Sequence, residues 1–493
     1  MNVLFVHNNF PAQYRYLARA LGRDPKVQMV AIGSATSRAV PGVELKKYAL
    51  GMSDLAGTHP FARRFDLECQ RAEQVLYALS SLVASGFTPD VILAHPGWGE
   101  TLPLRIMFPK ARLLLYCEFF YGDKGRDVDF DPEFPKAGLD GHIALMLKNA
   151  TTLLALNDAD HGISPTDWQR STFPVHYQDK IATIHEGVDV DLVRPDPTAV
   201  FRTATGHDLN RTDEVVTFVA RSLEPLRGYH IFMRSLPRIL AERPNAQIVI
   251  IGSEGQSYGL PAPPGLTWKS VFLKEVEPHI DSSRVHFTGH LPYDQYLKVL
   301  QISSAHVYLT YPFVLSWSFL ESLAAGCLVI GSATAPVQEV IEDGTNGLLV
   351  PFLDIDGLAD RVVEALANPS KYLDIRARAR QHVVDNYDME RVCLPKMLSL
   401  MNLSAGPREG GVSGFWPGKK RLVEDSEAQA KVEVKVEARF PAKGESGAAT
   451  KAVASGPAKG PVVKASGLNR WFGGRSLVKS PSLREKSLKS PDK

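Results

Sequence analysis

"TYPFVLSWSFLESLAAG", Thr310 to Gly326, is the stretch on which the fold turns. It opens in the last residues of an apolar strand, "HVYLTYPF", crosses a short polar turn, "LSWS", and enters a helix-like run, "FLESLAAG". Strand, tight turn and helix in immediate succession make the repeating unit of an α/β sheet. One residue stands out: Glu321, an acid expected in the first turn of an otherwise buried helix. Ser318-x-x-Glu321 fits a capping box, in which the acid returns to an open backbone N–H. A carboxylate that grips the sugar hydroxyls of a ligand fits equally, and the two roles are compatible.

The same alternation runs outward in both directions. "VLFV" (3–6), "VQMVAIG" (27–33), "VILAH" (91–95), "ARLLLYCEF" (111–119) and "TTLLALN" (151–157) read as buried strands. A second series follows: "VVTFVA" (215–220), "AQIVIIG" (246–252), "RVHFTG" (284–289), "HVYLTY" (306–311) and "CLVIGS" (327–332). Near-continuous Val/Ile/Leu strands separated by amphipathic segments imply parallel sheets covered on both faces. Two such series predict two Rossmann-like domains facing each other across a cleft. The expected division is 1–180 for a first Rossmann-like domain and 181–386 for a second. A helix over 387–404 should pack back toward the first domain. The crossing lies in "HEGVDVDLVRPDPTAVFRTATGHDLNRTD", rich in Asp, Pro and Thr.

From Ala405 to Lys493 the chain carries 18 Lys and Arg against 9 Asp and Glu, within a whole-chain net charge of +2. This Ala/Gly/Pro/Ser/Lys-rich segment is expected to be a disordered basic tail, with anionic lipid or an acidic partner as its natural attractor. Hydrophobic residues make up 44% and charged ones 22% of the 493 residues, the balance of a globular body. Cys69, Cys117, Cys327 and Cys393 have the spacing of neither a zinc site nor a disulfide framework. No apolar run reaches the ~18–20 residues that span a bilayer. A cytoplasmic protein is expected, with the inner face of the cytoplasmic membrane as a further location through peripheral association.

Candidate chemistry is selective. Neither G-x-x-x-x-G-K-[ST] nor G-x-G-x-x-G appears, which argues against a P-loop NTPase and a dinucleotide dehydrogenase. Arg221 ends one strand and Arg227 precedes the next helix, so both are expected in one anion-binding crevice. Ser316, Trp317 and Ser318 open the Glu321 helix and offer backbone N–H groups to the same anion. A nucleoside would then run along Gly252 and Ser253 of "GSEG" and Gly289 and His290 of "FTGHLP". His95, at the end of "VILAH", should face the cleft and donate to a sugar hydroxyl. "CEFFYGDKGRDVDFDPEF" (117–134), with Glu118 and Tyr121, has the rings and carboxylates of a carbohydrate surface. No metal-ligand spacing is evident, and neither a metal, a cofactor nor a nucleic-acid partner is expected.

These motifs resemble the retaining glycosyltransferase family 4, of GT-B fold, over roughly residues 1–404. "HEGVD", "ARSLEPLRG", "VHFTGHLP" and above all "ESLAAGCLVIGSATAPVQEVIEDGTNGLLV" carry the resemblance; "HPGWGE" looks like a bacterial branch of it. It implies metal-independent transfer of a sugar, with retention, from a nucleotide-diphosphate sugar to a glycan or lipid-linked acceptor. Arg221 and Arg227 would hold the diphosphate, Glu321 the ribose, and His95 the donor sugar near its anomeric carbon. Asn8 and Asn9 stand where many members carry glycines, and are expected to meet the acceptor with Glu118 and Tyr121. Phe313 stands where the family usually has an acid, and Arg227 where it has Lys. A nucleotide-sugar epimerase and a non-catalytic binding protein of the same fold remain alternatives.

Overall fold

A computed structural model describes residues 1–51 and 55–402; the expected basic tail lies outside the described residues. Seven parallel strands form the first sheet: β1 (Asn2–Val6), β2 (Gln28–Ser34), β3 (Val43–Tyr48), β4 (Val91–Ala94), β5 (Arg112–Tyr116), β6 (His161–Ser164) and β7 (Ile181–Thr183). Their spatial order is β3-β2-β1-β4-β5-β6-β7. The centre is continuously apolar: Val3 to Val6 and Val91 to Ala94 are buried because helices cover both faces. β7 lies beyond residue 180, so the first domain runs past its expected end.

A short antiparallel ribbon, β8 (Val200–Arg202) with β9 (Asp208–Asn210), occupies the expected crossing segment. The second sheet is again parallel. It holds β10 (Val215–Ser222), β11 (Gln247–Ser253), β12 (Val285–Gly289), β13 (Ala305–Tyr308), β14 (Val329–Ser332) and β15 (Leu348–Val350), in the order β12-β11-β10-β13-β14-β15. Both sheets therefore reverse strand order at their middle, between β1 and β4 and between β10 and β13. Such switch points open a crevice at the carboxyl ends of the flanking strands.

One expected strand is a helix. "TTLLALN" lies within the helix Ala150–Asp158, with Thr151, Thr152, Ala155 and Leu156 buried and Leu153 and Leu154 exposed. Seven residues are too few to separate a continuous apolar run from a helical face. Thr151 Oγ1 donates to Glu68 Oε2 at 2.7 Å, fixing this helix to the long helix Arg63–Ala84.

The chain passes between the sheets twice, and the two passages pair. Val188 N donates to Tyr387 O at 2.8 Å, and Met389 N to Val188 O at 2.9 Å. Gly187 makes this possible: its φ is +88°, and a Cβ there would meet Met389 Cα at 2.4 Å. After the second passage the helix Leu394–Asn402 buries Met397, Leu400 and Met401 against the β1 side of the first sheet, beside Val3, Phe5 and Leu17.

Candidate functional site

The residues after β5 do not form the open carbohydrate surface expected of "CEFFYGDKGRDVDFDPEF"; much of the stretch clasps the second domain. Phe119 packs on Phe313 at 4.9 Å, Phe130 on Tyr311 at 5.0 Å, and Phe134 on Trp268 at 5.5 Å between ring centroids. Asp131 accepts from His230 Nε2 and from the Tyr311 hydroxyl, both at 2.9 Å. Glu133 accepts both arms of Arg234, at 2.6 and 2.7 Å. Burial alone would raise the Asp131 carboxyl, but these bonds hold it below its usual range. Among the described residues Asp131, Glu133 and His230 also bring three potential metal ligands within 4.8 Å. Arg234 and Tyr311 already engage those carboxylates, so the group is a salt-bridged clasp.

The clasp brings the two switch points together. On the second domain, Arg221 is exposed at the end of β10 and donates to the Tyr258 hydroxyl at 3.4 Å. Tyr258 is placed by Glu224, whose buried carboxylate accepts the backbone N–H groups of Ser257, Tyr258 and Gly259 at 3.3, 3.3 and 3.1 Å. Arg227 is buried, and its Nη1 donates to Thr310 Oγ1 and Val314 O, both at 2.8 Å. The rest of that guanidinium makes no hydrogen bond among the described residues. Phe313 is buried under Arg227, with 5.6 Å between the guanidinium carbon and the ring centre. Where the family usually has an acid, this chain has an aromatic floor shared by Phe313, Phe119 and Tyr258.

The capping box is not formed. The helix runs Trp317–Ala324 with Ser316 as its N-cap and no side-chain cap, so Glu321 falls in the second turn. Glu321 is buried, and its two oxygens accept from the Tyr293 hydroxyl at 2.9 Å and the Tyr296 hydroxyl at 2.7 Å. Each oxygen keeps a further lone pair. The open helix start leaves its first N–H groups available to an anion. Trp317 Nε1 donates to Glu186, and the Arg15 guanidinium of the first domain lies over the indole ring at 4.5 Å. Glu186 also accepts from the Tyr116 hydroxyl at 2.7 Å. Burial would raise this carboxyl, but neighbouring His185 and the bonds from Tyr116 and Trp317 keep it low and charged.

Two donor-side expectations separate. Ser253 reaches Arg221, its Oγ donating to Arg221 O at 2.9 Å, and Gly252 is packed so closely that a Cβ would meet Leu223 at 2.7 Å. Gly289 and His290 are exposed at the end of the edge strand β12, two strands away from β10.

On the first domain the switch point presents His7, just past β1, and His95, just past β4. Their rings lie 5.2 Å apart, and His95 stacks on Trp98 at 4.3 Å. Asn9 N donates to His7 Nδ1 at 2.9 Å, and Gly97 N to His95 Nδ1 at 3.1 Å. Both imidazoles are therefore held with Nε2 as the donor. Burial, and then His95, push the His7 pKa well below its usual value. Glu118 Oε1 accepts from Gln13 Nε2 at 3.0 Å, while Oε2 lies 3.5 Å from His95 Nε2. Asn8 serves through its backbone, its carbonyl accepting from Ser34 N at 3.1 Å and Ser37 Oγ at 3.3 Å. Tyr121 is pinned through its backbone by Asn149, and Lys148 lies over its ring at 3.4 Å.

Sequence reasoning missed His7, Gln13, Glu186, Tyr258, Tyr293 and Tyr296. A signal existed for His7 alone: like His95, it directly ends an apolar strand. Among the described residues no helix is long and apolar enough to cross a membrane.

The comparisons agree with this geometry. A family model described as Glycosyl transferase family 4 group matches residues 25–193, and one described as Glycosyl transferases group 1 matches residues 203–382. D-inositol 3-phosphate glycosyltransferase of Mycobacterium avium is 29% identical over 227 residues, 45% of this chain and 50% of that protein. Phosphatidyl-myo-inositol mannosyltransferase of Mycolicibacterium smegmatis is 27% identical over 208 residues, 41% of this chain and 49% of that protein. The chain thus spans about half the length of the curated relatives it matches. Among solved structures, sucrose-phosphate synthase from Thermosynechococcus elongatus superposes with a TM-score of 0.61 at 18% identity, covering 82% of this chain and 99% of that one. HepE of Anabaena, solved with UDP and glucose, gives a TM-score of 0.55 at 15% identity over 82% of this chain and 100% of that one. These two structures share the fold. With two facing switch-point sheets and two successive family matches over well over half its length, the chain belongs to the family 4 glycosyltransferases of GT-B fold.

Proposed function

We propose that this protein moves a sugar from a nucleoside-diphosphate sugar to a hydroxyl of a glycan or lipid-linked acceptor, with retention and without an essential metal. The observation that carries the reading is the second-domain crevice: Arg221, the free edge of Arg227 and the uncapped start of the Trp317 helix. These are positive elements aimed at one place. The diphosphate lies among them, and the nucleoside extends past Ser253 toward Glu321. The Glu321 carboxylate, oriented by Tyr293 and Tyr296, accepts from ribose hydroxyls. The sugar then projects toward His95, whose Nε2–H meets one of its hydroxyls.

In the reaction the bond between the anomeric carbon and the diphosphate oxygen breaks, and the acceptor oxygen bonds that carbon on the same face. The acceptor proton passes to the departing phosphate. Charge grows on the diphosphate as it leaves, and fixed guanidinium groups and a helix end stabilise it where it develops. Retention and metal independence rest on the family resemblance. The curated relatives named above are transferases, which supports transfer over epimerisation.

The test is turnover of UDP-, GDP- and ADP-sugars by the full chain with and without saccharide acceptors, in buffer containing chelator. Release of nucleoside diphosphate that rises on adding acceptor, with a glycosylated product, is expected. Isomerised donor without transfer marks the epimerase. Failure to bind any nucleotide sugar marks a protein without this activity.

A further inference from the structure

Four pieces of the first domain meet on one buried carboxyl. Glu100 closes the turn that follows β4 and has no exposed surface. Gly99 turns the chain for it: φ there is +89°, and a Cβ would meet Glu68 O at 2.4 Å, so glycine alone passes this close to the helix Arg63–Ala84. Glu100 Oε1 accepts from the Tyr48 hydroxyl of β3 at 2.5 Å, and the backbone N–H of Asn8 bonds the same carboxyl. Arg71, on that helix, is within electrostatic reach of Glu100 and donates to Trp98 O at 2.7 Å. The charged and titratable groups facing Glu100 are thus Arg71, Tyr48 and Tyr14. Glu68, behind Gly99, is turned to Arg64 and Thr151.

The Asn8 peptide is gripped from both sides. Its carbonyl accepts from Ser34 and Ser37, and its N–H goes to Glu100. The next N–H, of Asn9, donates to His7 Nδ1, and the His7 ring meets His95 and Trp98 edge-on at 5.2 and 5.3 Å. Contacts therefore run from Glu100 to both imidazoles of the crevice: through Asn8 and Asn9 to His7, and through Trp98 to His95. A carboxylate is a costly choice for such a place. Burial disfavours its charge, and an amide of the same size would be buried without that charge. An amide, however, has a single acceptor oxygen, and its NH2 would face one of the two donors, Tyr48 or Asn8. A group that weakens the fold yet alone satisfies both loops has the character of a support for a functional site.

We propose that Glu100 is the positioning residue of the first-domain crevice: as a carboxylate it fixes the Asn8–Asn9 loop, and through it the orientation of His7 and His95, without touching substrate. The proposal rests on the transferase reading and adds to it a group that acts from beneath the site. Protonation takes away an acceptor position and releases the Asn8 N–H. The crevice is therefore set above the titration of this carboxyl, at about 7, and loosened below it.

The experiment compares the full chain with Glu100→Gln. Wild-type kcat with nucleotide sugar and acceptor should climb as Glu100 ionises near pH 7, a limb that Glu100→Gln lacks. At about pH 8 the variant's kcat should be at least about tenfold lower, while nucleoside diphosphate binds within about twofold and the melting temperature is no lower than that of wild type. Slower turnover in a protein of equal or greater stability separates positioning from support of the fold. Tyr48→Phe leaves the carboxylate on Asn8 and should keep kcat within about threefold. Nitrogen NMR of labelled histidine follows the crevice without substrate: the His7 Nδ1 resonance should shift in Glu100→Gln as its bond from Asn9 loosens. Full kcat in Glu100→Gln, a limb near pH 7 that the variant keeps, a loss matched by a fall in melting temperature, or an equal loss in Tyr48→Phe overturns the proposal. Should Glu100→Gln not fold, a wild-type profile flat across pH 7 overturns it. If wild type turns over no nucleotide sugar, the transferase reading fails instead; the His7 resonance then decides, a shift upholding the positioning role and an unchanged one overturning it.

Discussion

The two walls of the cleft sit at equivalent places in two similar sheets and differ in chemistry. The second-domain wall is cationic, built on Arg221, Arg227 and an open helix start. The first-domain wall has two imidazoles held as Nε2 donors, an amide, a phenol and one carboxylate, with His95 Nε2 and the Tyr14 hydroxyl making no hydrogen bond among the described residues. An α/β switch point supplies a crevice, and the side chains ending two neighbouring strands decide what it holds. Under the proposed function, the anionic half of a two-part substrate lies on the cationic wall and the neutral half on the other.

The harshest way to break the contrast is to put charge into the seam. Phe313 is 2% exposed and touches Phe119 and Tyr258. Phe313→Glu should cost about 3–5 kcal/mol of stability by burying an unpaired carboxylate, read as a large fall in melting temperature. A folded variant of unchanged melting temperature would show that this position opens to the cleft.

Glu100 sharpens the account of the neutral wall. It is fully buried beneath the first loop, accepts from the Tyr48 hydroxyl at 2.5 Å, and burial pushes its pKa up to about 7. A carboxyl raised on folding contributes its full share below its unfolded value and loses it as pH climbs through the folded one. Wild type should therefore lose up to about 3 kcal/mol between roughly pH 4.5 and 7 from this group. Glu100→Gln should remove that loss and raise relative stability at pH 8. Denaturant titrations at pH 5 and pH 8 measure it, and equal differences at both would contradict it.

On the cationic wall, Arg221→Ala should weaken nucleotide-sugar binding by about 1.5–3 kcal/mol with little change in melting temperature, because Arg221 is exposed. Arg227→Ala should weaken binding similarly and also lower the melting temperature, because its two buried hydrogen bonds go with it. Calorimetry beside thermal melts separates the two variants. Glu321→Gln, with no cap to lose, should weaken donor binding by about 1–3 kcal/mol, as one charge-assisted bond becomes neutral. Full donor affinity in that variant would remove Glu321 from the ribose.

Much of this was legible from residues alone, for local reasons. Continuous Val/Ile/Leu runs revealed the central strands, and Arg221 and His95 lie at the strand ends where their positions in the sequence put them. β3 was hidden because an edge strand carries Glu44, Lys46 and Lys47. Glu321 matched a local capping motif, but its partners come from a different helix, 28 and 25 residues earlier. Gln13 meets Glu118 across 105 residues, and Asp131 meets His230 across 99, so neither the neutral pocket nor the clasp has a local signature.

The central claim, that the nucleotide belongs to the second-domain wall alone, is tested most directly by titrating UDP, GDP and ADP into wild type, Arg221→Ala and Gln13→Leu by calorimetry. One nucleoside diphosphate should bind wild type, bind Arg221→Ala about 10- to 150-fold more weakly, and bind Gln13→Leu within about twofold of wild type. The same loss in both variants, or a loss only in Gln13→Leu, would contradict the assignment.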